Sequence, residues 1–433
     1  MSLELVGVMG LLGLFVLIVL RVPISIALGV VGVVGYAAID GWQIALTVLG
    51  YTPFDLSTGY ALSVVPLFVL MGVVASNSGM SRELFDAANA MFSGLRGALA
   101  MATIGACAGL GSISGSSLAS AATMTLIAVP EMRRLGYDDR LSTGSVAAGG
   151  TLGILIPPSI MLVIYSAVAE QSVAQLFAAG LIPGVLLALL QIVVVWVISR
   201  LLPGWTPESR SMPWSKRLRV MTGMWKLVVL FLFAVGGIYI GIFSPTEAAA
   251  VAAFSAIVIS VATRQMGFVQ IVDSMLKTVR ITAMVFFIVI CAFIFSYFLA
   301  RTQLPAGLGA WVTGLGLQPW FVIVVLVIFY VILGCLLEGL AMMLVTVPVF
   351  LPLILELGYD PIWFGVLVVV VIEIGLVTPP VGLNIFVIRA QLPDVPLGAI
   401  YQGILPFLVA SAVLIALLMI FPSLALWLPG VIY

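Results

Sequence analysis

The sequence predicts an all-α polytopic membrane protein made of two inverted-topology repeats, and three observations carry that prediction. First, 63% of its 433 residues are hydrophobic and only 8% are charged, with a mean hydropathy of +1.31, far too apolar for a water-facing surface. Second, apolar stretches of spanning length recur from end to end, as in a helical bundle rather than the short alternating strands of a barrel. Third, sliding the chain against itself at one constant offset aligns Pro23 with Pro245, Pro130 with Pro352, "LGYD" at 135–138 with "LGYD" at 357–360, and Gly153-x3-Pro-Pro with Gly375-x3-Pro-Pro. Several matches at one unchanged offset mark an internal duplication.

The first repeat is expected over residues 1–202 and the second over 223–433, joined by a polar linker at 203–222, "PGWTPESRSMPWSKRLR" and its flanks. "MSLELVGVMGLLGLFVLIVLRVP" is too long and apolar, and lacks a basic start, for a cleaved signal peptide; it reads as the first span. Arg210, Lys216, Arg217 and Arg219, flanked by Arg200 and Lys226, place the linker in the cytoplasm. Working outward from it, three further spans of the first repeat end near Ser78, Asp40 and Arg21. A re-entrant hairpin is expected at about 97–132 and a broken helix at about 139–169, with counterparts at about 319–357 and about 361–390. With this plan sixteen of the seventeen Lys and Arg residues fall on the cytoplasmic side, Arg301 alone lying outside; a full crossing at either hairpin would abolish that bias. Each repeat then has five spans and one hairpin, an odd number that inverts the second repeat and puts both termini in the periplasm. "SRELFDAANAMFSGL" (81–95) gathers Leu84, Phe85, Ala88, Met91 and Phe92 on one face, as a helix in the cytoplasmic interface would, with a mate near 305–317 at the opposite face.

Helices broken at membrane depth must be enclosed by protein or line a cavity, so they point to a site. Four breaks are expected: hairpin tips at "GLGSISGSS" (109–117) and "GCLLEGLA" (334–341), and the Pro-Pro pairs Pro157/Pro158 and Pro379/Pro380. Unwound carbonyls there suit a cation, and the helices that restart beyond each break aim partial positive charge and free N–H groups at an anion. That combination serves co-transport of Na+ with an anionic solute. The first tip supplies Ser112, Ser114, Ser116 and Ser117; helix packing alone also favours Gly and Ser, but a predicted break with a repeat partner favours a site. Two carboxylates fall inside the bilayer, Glu338 at the second tip and Glu373 before the second Pro-Pro pair, at the positions of Ser116 and Thr151 in the first repeat. Glu338 has three readings: a cation ligand, a partner for a solute hydroxyl or amine, or a cap for its hairpin. Glu373 has the further reading of satisfying scaffold backbone. No Arg or Lys is expected at the depth of the site unless Arg389 or Arg301 lies a turn closer.

Other functional classes fare badly. There is no His, and Cys107, Cys291 and Cys335 lack metal-type spacing. The three Lys residues lie at the cytoplasmic face, away from any serine nucleophile. Asp138 and Asp360 of the two "LGYD" motifs fall on opposite sides and cannot form a dyad. No phosphate loop appears, equal numbers of basic and acidic residues give no reason for nucleic acid, and no enzyme is expected. An ion channel is the better rival, but channels usually take their symmetry from oligomers.

"GSISGSSLASAATMTLIAVPEMRRLGYD", "GILIPPSIMLVIYS", "FSPTEAAAVAA", "AMMLVTVPVFLPLILELGYDP" and "IGLVTPPVGLNIFVI" resemble the large membrane (M) subunit of tripartite ATP-independent periplasmic (TRAP) transporters over nearly the whole chain. The resemblance implies a Na+-driven secondary importer of the bacterial inner membrane, working as an elevator in which a transport domain slides against a scaffold. It implies two partners, a separate small membrane subunit of about four helices and a periplasmic substrate-binding protein, with an organic anion, mostly a carboxylate, as solute. It further implies one Na+ near Ser112, Ser114, Gly153, Ile156 and Pro158, a second near Gly334, Gly375, Thr378 and Val381, and the solute near Ser116, Ser117, Glu338 and Asn384. Pro157, Pro379 and Pro380 would serve as structural breaks, and Asn384 has the alternative of tying down its restarted helix. The remaining alternative is an ion channel or a carrier that works without a binding protein.

Overall fold

A computed structural model describes residues 2–208, 211–335 and 337–433. Arg210 of the linker and Leu336 of the second tip lie outside the described residues. The first half contains α1 (Leu3–Val19), α2 (Ile24–Asp40), α3 (Trp42–Thr58), α4 (Val64–Asn77), α5 (Met80–Phe92), α6 (Ala98–Ser114), α7 (Ser117–Arg134), α8 (Asp139–Leu155), α9 (Ile160–Val168) and α10 (Val173–Leu201). The connection carries α11 (Trp214–Met221). The second half contains α12 (Trp225–Phe231), α13 (Gly237–Tyr239), α14 (Pro245–Ala262), α15 (Phe268–Arg301), α16 (Leu304–Gly314), α17 (Pro319–Gly334), α18 (Gly339–Glu356), α19 (Pro361–Gly375), α20 (Leu383–Gln391), α21 (Leu397–Ile420) and α22 (Ser423–Ile432). Among the described residues six helices are long and apolar enough to cross a bilayer, or eight if each bent pair is one span.

The duplication is visible in the element boundaries. Helices α7 and α18 are both 18 residues long. Their first residues, Ser117 and Gly339, stand at the offset of the sequence repeat, as do Asp139 and Pro361 at the starts of α8 and α19. The "LGYD" motif is a stop-and-start signal in both halves. Gly136 and Gly358 adopt positive φ of 87° and 80°, the left-handed conformation that ends α7 and α18 and that Gly enters without a Cβ penalty. Asp138 then accepts from the Arg140 N–H at 2.8 Å, and Asp360 from Ile362 at 2.7 Å, each capping the next helix. These aspartates are thus helix caps. In the second half "FSPTE" begins α14 with a capping box: Ser244 Oγ accepts from Glu247 N, and Glu247 accepts from Ser244 N at 2.8 Å.

Packing repeats with the halves exchanged. Helix α2 lies along α15 and α14 along α4; α9 packs on α18 and α20 on α7. Helix α6 and helix α7 form a hairpin whose open end is closed by the Leu99 N–H donating to the Tyr137 hydroxyl at 3.3 Å. Each hairpin meets its own broken helix glycine to glycine. A Cβ on Gly111 would collide with the Gly153 backbone, and one on Gly334 would lie 2.7 Å from Gly375 Cα. Both Pro-Pro bonds are cis, and α8 and α9 meet at 43°.

Ion pairs join distant parts of the chain at two ends of the bundle. At one, Arg133 bridges Asp139 at 2.7 Å and Asp394 at 2.6 Å, and its guanidinium holds the Asp394 carboxyl below the usual carboxylate range through the hydrogen bond they share. The nearly buried Lys226 pairs with Glu83 at 2.7 Å, and Gln265 donates to the same carboxylate at 2.7 Å. At the other end Arg301 pairs with Asp40 at 2.7 Å. Every one of these pairs joins residues that the charge pattern assigns to a common side.

Three details depart from the sequence reading. The span expected to end near Ser78 is interrupted: α3 stops at Thr58, a tight 3-10 turn covers Tyr60–Ser63, and α4 begins at Val64, with Pro53 inside α3 and Gly59 at the stop. Its counterpart α15 is one continuous helix of 34 residues. The amphipathic helix α5 lies at 70° to α4, but its apolar face packs on α6, with Leu84, Phe85 and Ala88 buried and Met91 turned outward. Its mate forms as α16. Helical structure also resumes at Trp214, inside the expected linker.

The Gly334–Gly375 contact leaves no room for a side chain, so Gly334→Val should destabilise the purified protein by about 1–3 kcal/mol through overpacking. Gly13→Val, at a position open to space within 4 Å, is the control. A melting temperature equally unmoved in both variants would show that hairpin and broken helix can separate at no cost.

Candidate functional site

The two hairpin tips converge. Ser116 is the N-cap of α7 and Glu338 the N-cap of α18, at equivalent positions of the two repeats: Ser116 Oγ accepts from the Ala119 N–H at 3.3 Å, and Glu338 Oε2 from the Ala341 N–H at 3.2 Å. Together with Ser117, Gly339, Ile281 and Leu376 they line a chamber of about 120 Å3. Two helix N-termini from opposite halves therefore open on one small space, where their N–H groups favour negative charge. Three of the four residues expected at the solute, Ser116, Ser117 and Glu338, line it. Asn384 does not. It is fully buried, its backbone N–H donates to Leu376 O at 3.2 Å across the second break, and its amide side chain has no hydrogen-bond partner among the described residues.

Of the three readings of Glu338, capping is realised: its carboxylate accepts at the start of α18. Glu373 does not satisfy scaffold backbone. It is buried, neither oxygen makes a hydrogen bond of good geometry among the described residues, and the Ser117 hydroxyl and Glu338 carboxylate are its polar neighbours. Glu373 thus sits behind the chamber wall.

Each tip meets its break. In the first half a Cβ on Gly115 would lie 3.4 Å from Pro158 O, and one on Gly153 would lie 3.1 Å from Ser120 Oγ and 3.2 Å from Ser116 O. The Ser114 and Ser120 hydroxyls are 3.1 Å apart, and Ser112 donates to Gly109 O at 2.8 Å. Ile156 ends α8 in an extended conformation immediately before Pro157 and Pro158. Ser112, Ser114, Gly153 and Pro158 are thereby gathered in one neighbourhood. In the second half Gly334 and Gly375 touch, and Thr378 donates to Ile374 O at 2.6 Å. Cys335 Sγ lies 3.9 Å from Thr378 O and 3.6 Å from Pro379 O. The Tyr401 hydroxyl bonds Pro380 O at 2.6 Å and Val381 O at 3.0 Å, leaving each carbonyl a second lone pair. The donors around both breaks are hydroxyls and carbonyls, hard oxygens suited to an alkali or alkaline-earth cation. Among the described residues no group of three or more His, Cys, Asp and Glu residues could hold a metal ion.

Sequence reasoning missed two sets of residues. Tyr401, on α21, holds the second break from a helix that carried no site signal. Lys277 and Arg280, on α15, line a wider vestibule with Asn77, Ser114 and Ser116, while no Lys or Arg lines the chamber itself. Arg301 and Arg389 do not approach the chamber. The first pairs with Asp40, and the second donates to the Leu392 and Pro393 carbonyls.

Residues 11–424 match the family model for the DctM component of the tripartite ATP-independent periplasmic transporter. The chain is 40% identical over 399 residues to the C4-dicarboxylate TRAP transporter large permease protein DctM of Pseudomonas aeruginosa, covering 89% of this chain and 92% of that one. It is 32% identical over 414 residues to the isethionate TRAP transporter permease protein DctMQ of Oleidesulfovibrio alaskensis, covering 95% of this chain and 64% of that one. The fold is similar to that of the YdaH transporter of Alcanivorax borkumensis, with a TM-score of 0.62 at 16% identity over 89% of each chain. The hairpins, the broken helices and the matched length agree: this chain belongs to the DctM family of TRAP transporter large permeases, and is a transport protein rather than an enzyme.

Proposed function

We propose that the chain is the permease of a Na+-coupled secondary importer in the bacterial inner membrane, taking an organic anion from a periplasmic binding protein. A small membrane subunit of about four helices would accompany it. The observation that carries the reading is the chamber in which the N-caps Ser116 and Glu338 of opposite halves meet. Two Na+ would bind beside it, one among Ser112, Ser114, Gly153, Ile156 and Pro158 and one among Gly334, Gly375, Thr378 and Val381. The solute would sit between them, near Ser116, Ser117 and Glu338. C4-dicarboxylates and isethionate, named for the two relatives, share an anionic head that helix N-termini and bound Na+ can neutralise. Asn384 would serve by positioning the restarted helix.

Alternating access would follow an elevator course. Helices α6–α10 and α17–α22, which contain both hairpins and both breaks, form the moving part, and α1–α5 with α12–α16 the scaffold. The exchanged pairs α2 with α15 and α14 with α4 lock the scaffold together. The Arg133, Lys226 and Asp394 end would face the cytoplasm, and the Asp40–Arg301 end the periplasm.

In liposomes containing the chain with its partners, an inward Na+ gradient should drive accumulation of labelled succinate, and replacing Na+ by K+ should abolish it. Accumulation indifferent to Na+, or flux that only runs downhill, would contradict the reading. Glu338→Gln keeps an oxygen for the cap and removes the charge, so it should keep the melting temperature while lowering uptake about tenfold or more, whereas Glu338→Ala should also lose about 1 kcal/mol of stability with the cap. Undiminished uptake with unchanged Na+ dependence in Glu338→Gln would confine Glu338 to capping.

A further inference from the structure

We propose that Arg280, assisted by Lys277, is the anion-selecting residue at the mouth of the solute chamber, binding the carboxylate or sulfonate head of the solute on the scaffold side; the inference rests on the importer reading above. The vestibule has a volume of about 290 Å3, enough for a small organic anion. The hairpin supplies one part of its wall with Ser114, Ser116 and Thr123, and α15 another with Lys277, Arg280 and Ile281. Ser116, Ile160 and Ile281 line both the vestibule and the 120 Å3 chamber, so the two spaces adjoin.

Among the described residues no carboxylate lines the vestibule, and Glu338 lines only the chamber. Lys277 pairs with Asp273 at 2.8 Å, one turn back on the same helix. Arg280 has no ion-pair partner among the described residues. It therefore presents an uncompensated guanidinium, whose planar fork suits a carboxylate or sulfonate. Asn77 of α4 donates to Ser274 Oγ at 2.8 Å, fixing the turn of α15 from which both cations project. The cationic wall belongs to one half only: the repeat equivalents of Lys277 and Arg280 are Asp55 and Thr58, and Asp55 accepts from the Tyr51 hydroxyl at 3.0 Å. An anion held against Arg280 thus meets a positive wall with the hairpins in the arrangement seen here, and no such wall at the pseudo-symmetric place.

The full chain with its partners in liposomes provides the test, with Cys107, Cys291 and Cys335 replaced by Ala and a reporter thiol at Thr123→Cys, or at Ala119→Cys should the first fail to assemble. Labelling rates are compared for a sulfonate-bearing methanethiosulfonate and for its trimethylammonium analogue. The anionic reagent should be favoured about tenfold relative to a free thiol. The preference should fall to near unity in Arg280→Gln and survive largely in Arg280→Lys. A preference unchanged by Arg280→Gln overturns the proposal. Succinate uptake in the same vesicles separates it from the importer reading: an Arg280-dependent preference without uptake upholds the anion site and defeats the importer, and Na+-driven uptake with an Arg280-independent preference does the reverse.

Discussion

Backbone groups that leave helical hydrogen bonding at membrane depth cannot be left facing hydrocarbon, and the rest of this structure follows from how that constraint is met. Each break is closed in by the hairpin of its own half through a contact of glycine on glycine, Gly111 with Gly153 and Gly334 with Gly375. Only residues without side chains allow backbones so near one another. From the other half come α20 onto α7 and α9 onto α18, so that neither set of breaks is enclosed without both repeats. The fold and the site thus share a single cause. Enclosing the unwound segments is what brings two helix N-termini from opposite halves onto one chamber.

Duplication supplies the frame, and divergence within it supplies the chemistry. Ser116 and Glu338 occupy one position and make the same cap, yet one brings a hydroxyl and the other a carboxylate. Thr151 returns its hydroxyl to Ala148 O at 2.6 Å, whereas its mate Glu373 is buried beside Ser117 without a good hydrogen bond. A continuous α15 carries Lys277 and Arg280 past the tip, whereas the matching segment is cut at Gly59 into α3 and α4. A symmetric pair of halves gives two equivalent places for a site to face. These unequal side chains give the places different charge.

The parts of the fold encoded by local backbone chemistry were legible in sequence. The Pro-Pro pairs, the left-handed glycines of "LGYD" with their capping aspartates, and the one offset relating them mark points where helices stop and restart in each half. Ser116, Ser117 and Glu338 stand out in sequence as residues at a helix start, where residue type and position are coupled, and all three line the chamber. Tyr401 was not, because its role is to reach the Pro380 and Val381 carbonyls from another helix, a relation of packing rather than of pattern. The vestibule that Arg280 shares with the hairpin was not legible for a related reason: it is a property of how α15 and α7 lie together. The break at Gly59 was hidden by an apolar stretch long enough to read as one span. Asn384 was placed with the solute on resemblance alone; it is buried and does not line the chamber.

Na+ coupling of the kind proposed requires the tips and breaks to create two cation sites, one in each half. Equilibrium binding of radioactive 22Na+ to the purified full-length chain measures this directly, without solute or partners. Saturable binding of two Na+ per chain is expected, reduced to one when the Thr378 hydroxyl and Tyr401 hydroxyl at the second break are both removed. Absence of saturable Na+ binding, or two Na+ still bound in that double variant, would contradict it.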